Sequence, residues 1–574
     1  MPVSPHRIFP FLAWLPRLTR ENLRIDALAG LTVALVAIPQ SLAYAQLAGL
    51  PPYFGLYAAL IPTIVGALFG SSSQLSTGPV ALTSLLTAAS IAPLAATGSE
   101  QYVAYAISVA LLSGLFQLLF GIMRLGVLMN LLSHPVLMGF VNAAAILITL
   151  SQVPALFGVS SPAKGHALID TWHVLVNAAE SHGYSVLFGL VAIALLIAFR
   201  RFAPRLPGVL ITVALLTAAS YFVDYAGNGG RIVGDIPRGL PALALPSFSL
   251  DAWIELLPAS FVIAVISFME AMSSAKIAAI KTASKWDENQ ELVGQGLAKM
   301  AAAFCQTMPV SGSFSRSALN LASGARTGVS SIVAALCVLL TLLFFTPLLK
   351  YLPLPVLAAI IVMALTNLIN LRSLRNAWRA SSDDAIAAVL TFAATIAFAP
   401  QIQNGIFAGI LVSLGLFIYR RMRPNMAIVE PASAQLGRDV PEDIAEALQG
   451  KLGIIRFDAS LVFVNVSYFE DAVLQLERRH PGLRFVLVSA SGINDLDASG
   501  VEMLASLHEG LRKNGIALVF SGVKPRVSSV LERTGLRERI SAKNFFGTDQ
   551  DAFAALARRE VVRPPETERP PRDR

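Results

Sequence analysis

The feature that most constrains this chain is a succession of apolar runs that repeats from residue 25 to residue 420. Most of them are about 15–22 residues long, close to the length that a helix needs to cross the hydrocarbon core of a bilayer. Hydrophobic residues make up 55% of the 574 residues and charged residues only 14%, which predicts a polytopic α-helical membrane protein. The fourteen runs lie at about 25–45, 54–70, 78–92, 102–123, 133–156, 184–200, 206–224, 254–280, 291–306, 313–324, 328–349, 353–370, 383–399 and 403–420.

Basic residues mark one side of the predicted membrane segments. Apart from a group before the first run, clusters of Lys and Arg follow even-numbered runs, as at Arg124, Arg200 and Arg420. Because cytoplasmic loops are enriched in Lys and Arg, both termini are predicted to be cytoplasmic. The same bias explains the net charge of +8, so no nucleic-acid partner is expected. The composition favours a multi-pass protein of a bacterial inner membrane.

Beyond Pro424 the composition changes to that of a small soluble α/β domain. Strand patterns lie at 453–457, 461–466, 485–489 and 516–521, and helix patterns at 499–513 and 525–534. The predicted organisation is a cytoplasmic N-terminus (1–24), a transmembrane domain (25–421), a linker (422–452), the α/β domain (453–560) and a disordered tail (561–574).

Two polar breaks in the apolar pattern resemble one another. Residues 74–80 and 308–314 both place small polar residues and a glycine just before a short apolar helix. They belong to the third and tenth runs, and a separation of seven runs reverses the orientation in the membrane. Corresponding breaks of this kind are typical of inverted-topology repeats and indicate a binding site in transporters. As an alternative, Gly78 and Gly312 only permit close helix packing.

The breaks predict an anion-binding site. Two half-helices in opposed repeats would direct their N-termini at one another, and each offers unpaired N–H groups and roughly +0.5 charge. With Arg316 the total is about +2, which favours sulfate or a dicarboxylate over a monoanion. Gln40 and Tyr44, four residues apart in the first run, share a helix face and either bind the anion or bridge helices.

Glu270 is the one acidic residue well inside the eighth run. A carboxyl group that can be neutralised beside an anion site is suited to carry a proton, because protonation removes its repulsion of the anion. The alternatives are a static ion pair that holds helices together and a sodium site completed by Ser274. Cys305 and Cys337 lie in apolar runs and indicate neither a disulfide nor a thiol metal site, so no cofactor or metal is expected.

Several stretches, taken together and in this order, resemble the SulP or sulfate permease family of anion transporters. They lie at residues 39–45, 55–57, 70–79, 133–135, 139–140, 289–292, 312–320 and 324–327. The resemblance implies seven-plus-seven inverted repeats divided into core and gate domains, an anion site between the starts of helices three and ten, and an elevator-like movement.

The resemblance also implies which residues form the site. The anion would meet Gln40, Tyr44, Val80, Ser315 and Arg316, while Glu270 matches the acidic position that accompanies proton coupling. The neighbouring residues of the two breaks complete the predicted site: Thr77, Gly78, Ser313 and Phe314. Lys299 departs from the asparagine expected after the stretch at 289–292.

The soluble domain resembles a STAS domain, with its signature at residues 495–501. The resemblance implies that Ser499 corresponds to a phosphoacceptor at a helix start, although a simple N-cap is the favoured interpretation. It further implies that this domain dimerises or regulates the membrane part, so we expect a homodimer and a regulatory protein partner.

These observations together predict a secondary active transporter rather than an enzyme. The favoured function is proton-coupled symport of sulfate or a related inorganic or small organic anion. The alternatives are an anion exchanger or channel, or a bicarbonate or dicarboxylate transporter, on the same fold. An alternative of another class is a membrane sensor that signals through its STAS domain.

Overall fold

The computed structural model describes residues 9–126, 133–159, 167–177, 181–204, 206–237, 239–246, 250–366, 369–399, 401–429 and 442–561. The chain divides into two compact units, Met1–Ser413 and Leu414–Arg574. The predicted disordered tail at 561–574 lies outside the described residues except for residue 561, as do residues 1–8 of the predicted N-terminus and 430–441 of the predicted linker.

The first unit is almost entirely helical, and its elements fall into two parts, before and after residue 250. The elements of the first part are α1 (Phe11–Trp14), a 3-10 turn (Leu15–Arg17), α2 (Arg20–Leu47), α3 (Tyr53–Ala58), α4 (Ile61–Phe69), β1 (Thr77–Gly78), α5 (Ala81–Ile91), α6 (Glu100–Ile122), α7 (His134–Ser151), α8 (Val153–Phe157), α9 (Ala167–Val176), α10 (Gly183–Phe202) and α11 (Gly208–Phe222). Polar caps begin the long helices α2 and α6, since the hydroxyls of Thr19 and Ser99 accept main-chain N–H bonds three residues onward.

The second part repeats this pattern of long helices around one very short strand. Its elements are α12 (Leu250–Thr282), α13 (Glu288–Phe304), β2 (Ser311–Gly312), α14 (Phe314–Ala322), α15 (Val329–Leu340), a π-helical turn (Thr341–Phe345), α16 (Thr346–Leu349), α17 (Leu354–Leu365), α18 (Leu371–Ala380), α19 (Ser382–Ala397) and α20 (Gln403–Met422).

The apolar runs form helices as predicted. Each of the fourteen predicted runs contains at least one helix, and the half-helices α5 and α14 follow the two polar breaks. Among the described residues, seven helices are long and apolar enough to cross a membrane, and four further apolar helices are shorter. The fold is therefore that of a polytopic helical membrane protein, while the number of spans stays a prediction.

Close glycine contacts hold the helices that support the site. A Cβ added to Gly114 of α6 would lie 2.9 Å from the main-chain oxygen of Gly296 in α13, and one added to Gly296 would lie 2.8 Å from the oxygen of Gly114. The two backbones can approach this closely only because neither residue has a side chain. Small residues at helix crossings serve the same purpose in membrane proteins generally.

A buried carboxylate ties helix α2 to the loop after α14. Asp26 is fully buried, and its side chain accepts bonds from the main-chain N–H of Arg326 (2.7 Å) and of Thr327 (3.3 Å) and from the Thr327 hydroxyl (2.5 Å). Arg326 also forms an exposed ion pair with Glu21, at 3.1 Å. The buried and the exposed contact thus join the same two segments.

We expect Asp26→Asn to destabilise the protein far more than Glu21→Gln, although both changes replace a carboxylate by its amide. The first leaves buried donors facing an amide, at a cost of about 2–3 kcal/mol. The second removes an exposed ion pair, which contributes about 0–1 kcal/mol. Thermal unfolding of the purified proteins in detergent measures the difference. Equal unfolding temperatures for the two variants would contradict this account of Asp26.

The second unit contains a five-stranded sheet with helices on both faces. Its elements are β3 (Met426–Val429), α21 (Glu442–Leu448), β4 (Leu452–Phe457), α22 (Val466–Arg479), β5 (Phe485–Ser489), a 3-10 turn (Ala490–Gly492), α23 (Ala498–Lys513), β6 (Ala517–Ser521), α24 (Pro525–Arg533), α25 (Leu536–Ile540), a 3-10 turn (Ala542–Asn544), β7 (Phe545–Phe546) and α26 (Asp549–Val561).

The sheet has the order β3-β4-β5-β6-β7 and is parallel except for β3, which pairs antiparallel with β4. Alternate residues of its strands enter two different cores. Ile455 and Val486 face one of them, and Ile454 and Leu487 face the other. This alternation is the reason that the central strands are apolar on both faces. Residues predicted to form the linker therefore contribute the strand β3 and the helix α21.

Two local predictions for this unit are wrong. Residues 461–466 do not form a strand. Leu461 makes one bridge to Leu496, residues 463–465 form a turn, and α22 begins at Val466; a bond from the Val462 N–H to the Asn465 side chain (3.0 Å) closes the turn. The β-branched residues of this segment favour a strand, but the asparagine side chain satisfies the turn instead. The N-cap of α23 is Asp497 and not Ser499, since the Asp497 carboxylate accepts from the Gly500 N–H at 2.8 Å. Phosphorylation of Ser499 stays a prediction.

Candidate anion-binding site

The two polar breaks meet in the folded chain. Strands β1 and β2 pair antiparallel, with Thr77 opposite Gly312 and Gly78 opposite Ser311. The pairing continues by a bond from the Ser313 N–H to the Ser76 oxygen, at 2.8 Å. Segments about 230 residues apart in the sequence are thus joined through their backbones, as the proposed relation between the third and tenth runs requires.

Each strand leads directly into a half-helix whose N-terminus belongs to this junction. Val80 and Ser313 are the N-cap residues of α5 and α14, and both have extended backbones. The Ser313 hydroxyl accepts weakly from the Arg316 N–H, at 3.4 Å, whereas α5 has no side-chain cap. The first N–H groups of both helices are therefore available to a ligand, and the helix dipoles favour an anion.

Arg316 brings a full positive charge to the junction. It is 1% exposed, and its Nη1 donates to the Pro79 oxygen at 2.8 Å. Its Nη2 is buried without a hydrogen-bond partner among the described residues. Glycine at position 78 makes room for the guanidinium, since an added Cβ would lie 3.0 Å from Nη2. A buried cationic donor that lacks an acceptor is what an anion would satisfy.

The first membrane helix contributes the predicted polar face. Tyr44 is 5% exposed and interacts electrostatically with Arg316, which places it at the same centre. The Oε1 atom of Gln40 is buried without a partner among the described residues. Gln40 also lines a cavity of about 230 Å³ together with Arg200 and Met363. The structure thus places Tyr44 within electrostatic range of Arg316 and places Gln40 at the wall of a cavity.

The remaining predicted residues differ in accessibility. Thr77, Gly78, Val80 and Ser313 are buried, whereas Phe314 and Ser315 in the first turn of α14 are exposed. The Ser315 hydroxyl lies 3.4 Å from that of Ser313. Most of the predicted anion contacts therefore lie in a buried junction. Its accessible residues are those in the first turn of α14.

Glu270 lies in α12 and faces the same centre. It interacts electrostatically with Arg316 and Lys299, yet no salt bridge within 4.0 Å joins it to either among the described residues. Its Oε2 is buried and lacks a hydrogen-bond partner there. A static ion pair would show such contacts, so the described residues give no support to that alternative. The Ser274 hydroxyl donates to the Glu270 main-chain oxygen at 3.1 Å, as serines in membrane helices commonly do.

A polar centre beside the site was not predicted. Lys299 is fully buried, and its Nζ donates to Gln117 Oε1 at 2.8 Å and to Ser267 Oγ at 2.6 Å. The sequence showed Lys299 only as a departure from the expected asparagine. The available signal was a lysine inside an apolar helix, which is itself an indication of function.

Helix α13 also positions β1. The Glu291 carboxylate accepts from the N–H groups of Ser71 and Ser72, each at 2.9 Å. Gln295, one turn further on, donates to Glu291 at 3.1 Å and to the Thr77 hydroxyl at 2.9 Å. This chain of bonds fixes the segment that precedes the first half-helix.

The fold and this junction are those of a polytopic membrane protein in which two interrupted helices begin at one buried centre. The sequence profile of the Sulfate permease family matches residues 23–391, and that of the STAS domain matches residues 444–552. The chain belongs to the sulfate permease family and carries a C-terminal STAS domain. Because this is a family of transporters, the prediction that the chain is not an enzyme is confirmed.

Curated relatives and solved structures agree with this assignment. The chain is 32% identical over 567 residues to the probable sulfate transporter 4.2 of Arabidopsis thaliana, covering 95% of this chain and 83% of the relative. It is 33% identical over 551 residues to the probable sulfate transporter MT1781 of Mycobacterium tuberculosis, covering 94% and 96%. The murine anion transporter Slc26a9, in the inward-facing state, has the same fold, with a TM-score of 0.87 at 22% identity over 96% of this chain and 94% of that one.

Proposed function

We propose that this protein is a secondary active transporter that moves sulfate or a related anion together with a proton. The observation that carries the proposal is the Nη2 atom of Arg316, a buried cationic donor that lacks an acceptor in the described part of the chain and lies where two helix N-termini meet. The relatives are named as probable sulfate transporters, and the chain matches 83% of the length of one and 96% of the other, which supports the substrate class.

Coupling to a proton rests on Glu270. Its carboxyl interacts with the cation that would bind the anion, so an ionised Glu270 competes with the anion for Arg316. Protonation ends that competition and raises the affinity for the anion. A carrier built in this way binds its two substrates together and releases them together, which is the requirement for symport.

Movement and assembly complete the proposal. The junction of β1, β2, α5 and α14 is one bonded body, and an elevator-like displacement would carry it across the membrane with the anion attached. We further propose a homodimer in a bacterial inner membrane, with both termini cytoplasmic and with the STAS domain as the part that dimerises or receives a regulatory protein. The bias of Lys and Arg supports this orientation.

The decisive experiment is uptake of labelled sulfate into proteoliposomes that contain the purified protein. With equal sulfate on both sides, an inward proton gradient is expected to produce accumulation, and a proton ionophore is expected to abolish it. Competition by unlabelled bicarbonate, chloride and succinate then ranks the anions.

Each alternative gives a different result in the same vesicles. An exchanger would take up sulfate only when the lumen holds a counter-anion, whatever the proton gradient. A channel would equilibrate sulfate without accumulating it. Vesicles that take up neither labelled sulfate nor labelled bicarbonate, chloride or succinate would refute transport and favour a sensor that acts through the STAS domain.

A further inference from the structure

Lys299 occupies a site that three helices build for it. It lies in α13, it is fully buried, and its two hydrogen-bond acceptors belong to α6 (Gln117) and α12 (Ser267). Both acceptors are neutral. A charged side chain at membrane depth is costly, so one that is hydrogen-bonded in this way is a candidate functional residue rather than a random occurrence.

The surroundings of Lys299 are specifically arranged. The Gln117 amide donates to the Ala264 oxygen at 2.7 Å, which directs its Oε1 towards the lysine. Gly114 leaves space for the chain of Lys299, since an added Cβ would lie 2.9 Å from the lysine Cβ. The main-chain oxygen of Ser267 accepts from the Ser311 hydroxyl at 2.8 Å, and Ser311 belongs to β2. The lysine centre is thus connected to the anion junction.

Glu270 is the acidic group within electrostatic range of Lys299, although no salt bridge joins the two among the described residues. Ser267, which binds the ammonium group, and Glu270 are three residues apart in α12 and share a helix face. Glu270 interacts electrostatically with Lys299 and with Arg316, and Tyr44 is the other titratable group at this centre. Two buried cations therefore share a single carboxylate, and the centre retains one uncompensated positive charge when all three groups are ionised.

We propose that Lys299 determines which anion valence the carrier accepts. With Glu270 ionised, the side chains of Glu270, Lys299 and Arg316 contribute one net positive charge beyond that of the two helix N-termini. With Glu270 protonated they contribute two, which favours a dianion, bound together with a proton, over a monoanion. This inference rests on the proposed function and deepens it, because it assigns one further unit of positive charge to a residue outside the two half-helices.

The test compares dianion and monoanion recognition in proteoliposomes at one pH. The measured quantities are the KM for sulfate and the inhibition constant of nitrate against sulfate uptake. Lys299→Met is expected to raise the KM for sulfate on the order of tenfold, because one positive charge is lost near the anion in a medium of low dielectric constant. Nitrate inhibition is expected to change much less, so the ratio of the nitrate inhibition constant to the sulfate KM falls.

Two further variants separate charge from packing. Lys299→Arg keeps the charge and is expected to keep the ratio near that of the wild type. Gln117→Glu leaves Lys299 intact but places a carboxylate against its ammonium group, and it is expected to lower the ratio as Lys299→Met does. Lys276→Met is the matched control, because Lys276 lies in α12 and is exposed.

The outcomes are distinct. Sulfate transport with an unchanged ratio in both Lys299→Met and Gln117→Glu would overturn this inference and leave the proposed function standing. If Lys299→Met yields no folded protein, Gln117→Glu alone decides, with the same expected fall. Wild-type protein that transports no anion would overturn the proposed function and this inference together.

Discussion

Arg316→Ala is expected to weaken anion binding strongly while the protein remains folded. The guanidinium is buried at the junction of the two half-helices, and its Nη2 amino group has no acceptor among the residues that the structure describes. A hydrogen bond to a charged group contributes about 1.5–3 kcal/mol, which corresponds to roughly a tenfold to hundredfold loss of affinity. Calorimetric titration of the purified protein with sulfate measures this loss directly, and uptake into proteoliposomes should fall in parallel.

The chain provides a matched control in a second arginine ten residues further on. The side chain of Arg326 is 50% exposed and binds Glu21 and Asn22, so Arg326→Ala removes the same atoms from a place that the anion does not reach. This control should bind sulfate like the wild type. Arg316→Lys should recover part of the affinity, because the charge remains but the bond to the Pro79 oxygen and the second donor are lost. Normal sulfate binding by Arg316→Ala would remove Arg316 from the site.

The junction itself could be predicted from the sequence because its signals are local. A bilayer does not hydrate bare backbone, so a run of small polar residues at membrane depth must line a cavity or lie inside protein. Two such breaks seven runs apart therefore predicted a meeting that the pairing of Thr77 with Gly312 now shows. The same breaks also predicted where the two half-helices begin.

Side-chain networks between distant helices could not be predicted in the same way. The site of Lys299 combines residues of α6, α12 and α13, and nothing local to Gln117 or Ser267 distinguishes them from other polar residues in apolar runs. The bonds of Asp26 likewise depend on a main-chain segment about 300 residues away. Tertiary packing determines which residues become partners, and the residues near any one position in the sequence do not indicate which distant segment will pack there.

The errors in the second unit have a related cause. Strand propensity measures how well a side chain fits a half-buried sheet, so the β-branched residues at 461–466 predicted a strand. The side chain of Asn465 instead accepts a bond from Val462 and donates one to the Ser460 oxygen at 3.0 Å, and α22 begins at the next residue. The local hydrogen bonds of Asn465 thus outweighed the strand propensity of this segment, which no ladder with a neighbouring strand reinforced.

Glu270→Gln is expected to uncouple transport from the proton gradient. The amide has nearly the shape of the protonated carboxyl but cannot lose a proton, so the variant resembles one charge state of the wild type at every pH. Uptake of sulfate by the variant should no longer rise as the external pH falls, and an inward proton gradient should no longer drive accumulation. Binding of sulfate should persist, because Arg316 and the helix N-termini are unchanged.

The distinction between binding and coupling makes this result specific. If Glu270 only held helices together, its replacement would lower stability and all transport equally, and the remaining uptake would keep its pH dependence. Glu255→Gln is the control, since Glu255 lies in the same helix but is exposed. Wild-type pH dependence in Glu270→Gln would exclude Glu270 as the proton carrier. If Glu270→Gln still binds sulfate but no longer accumulates it, Glu270 is needed for coupling and not for anion binding. The charge state of this one carboxyl would then link the movement of the anion to that of the proton.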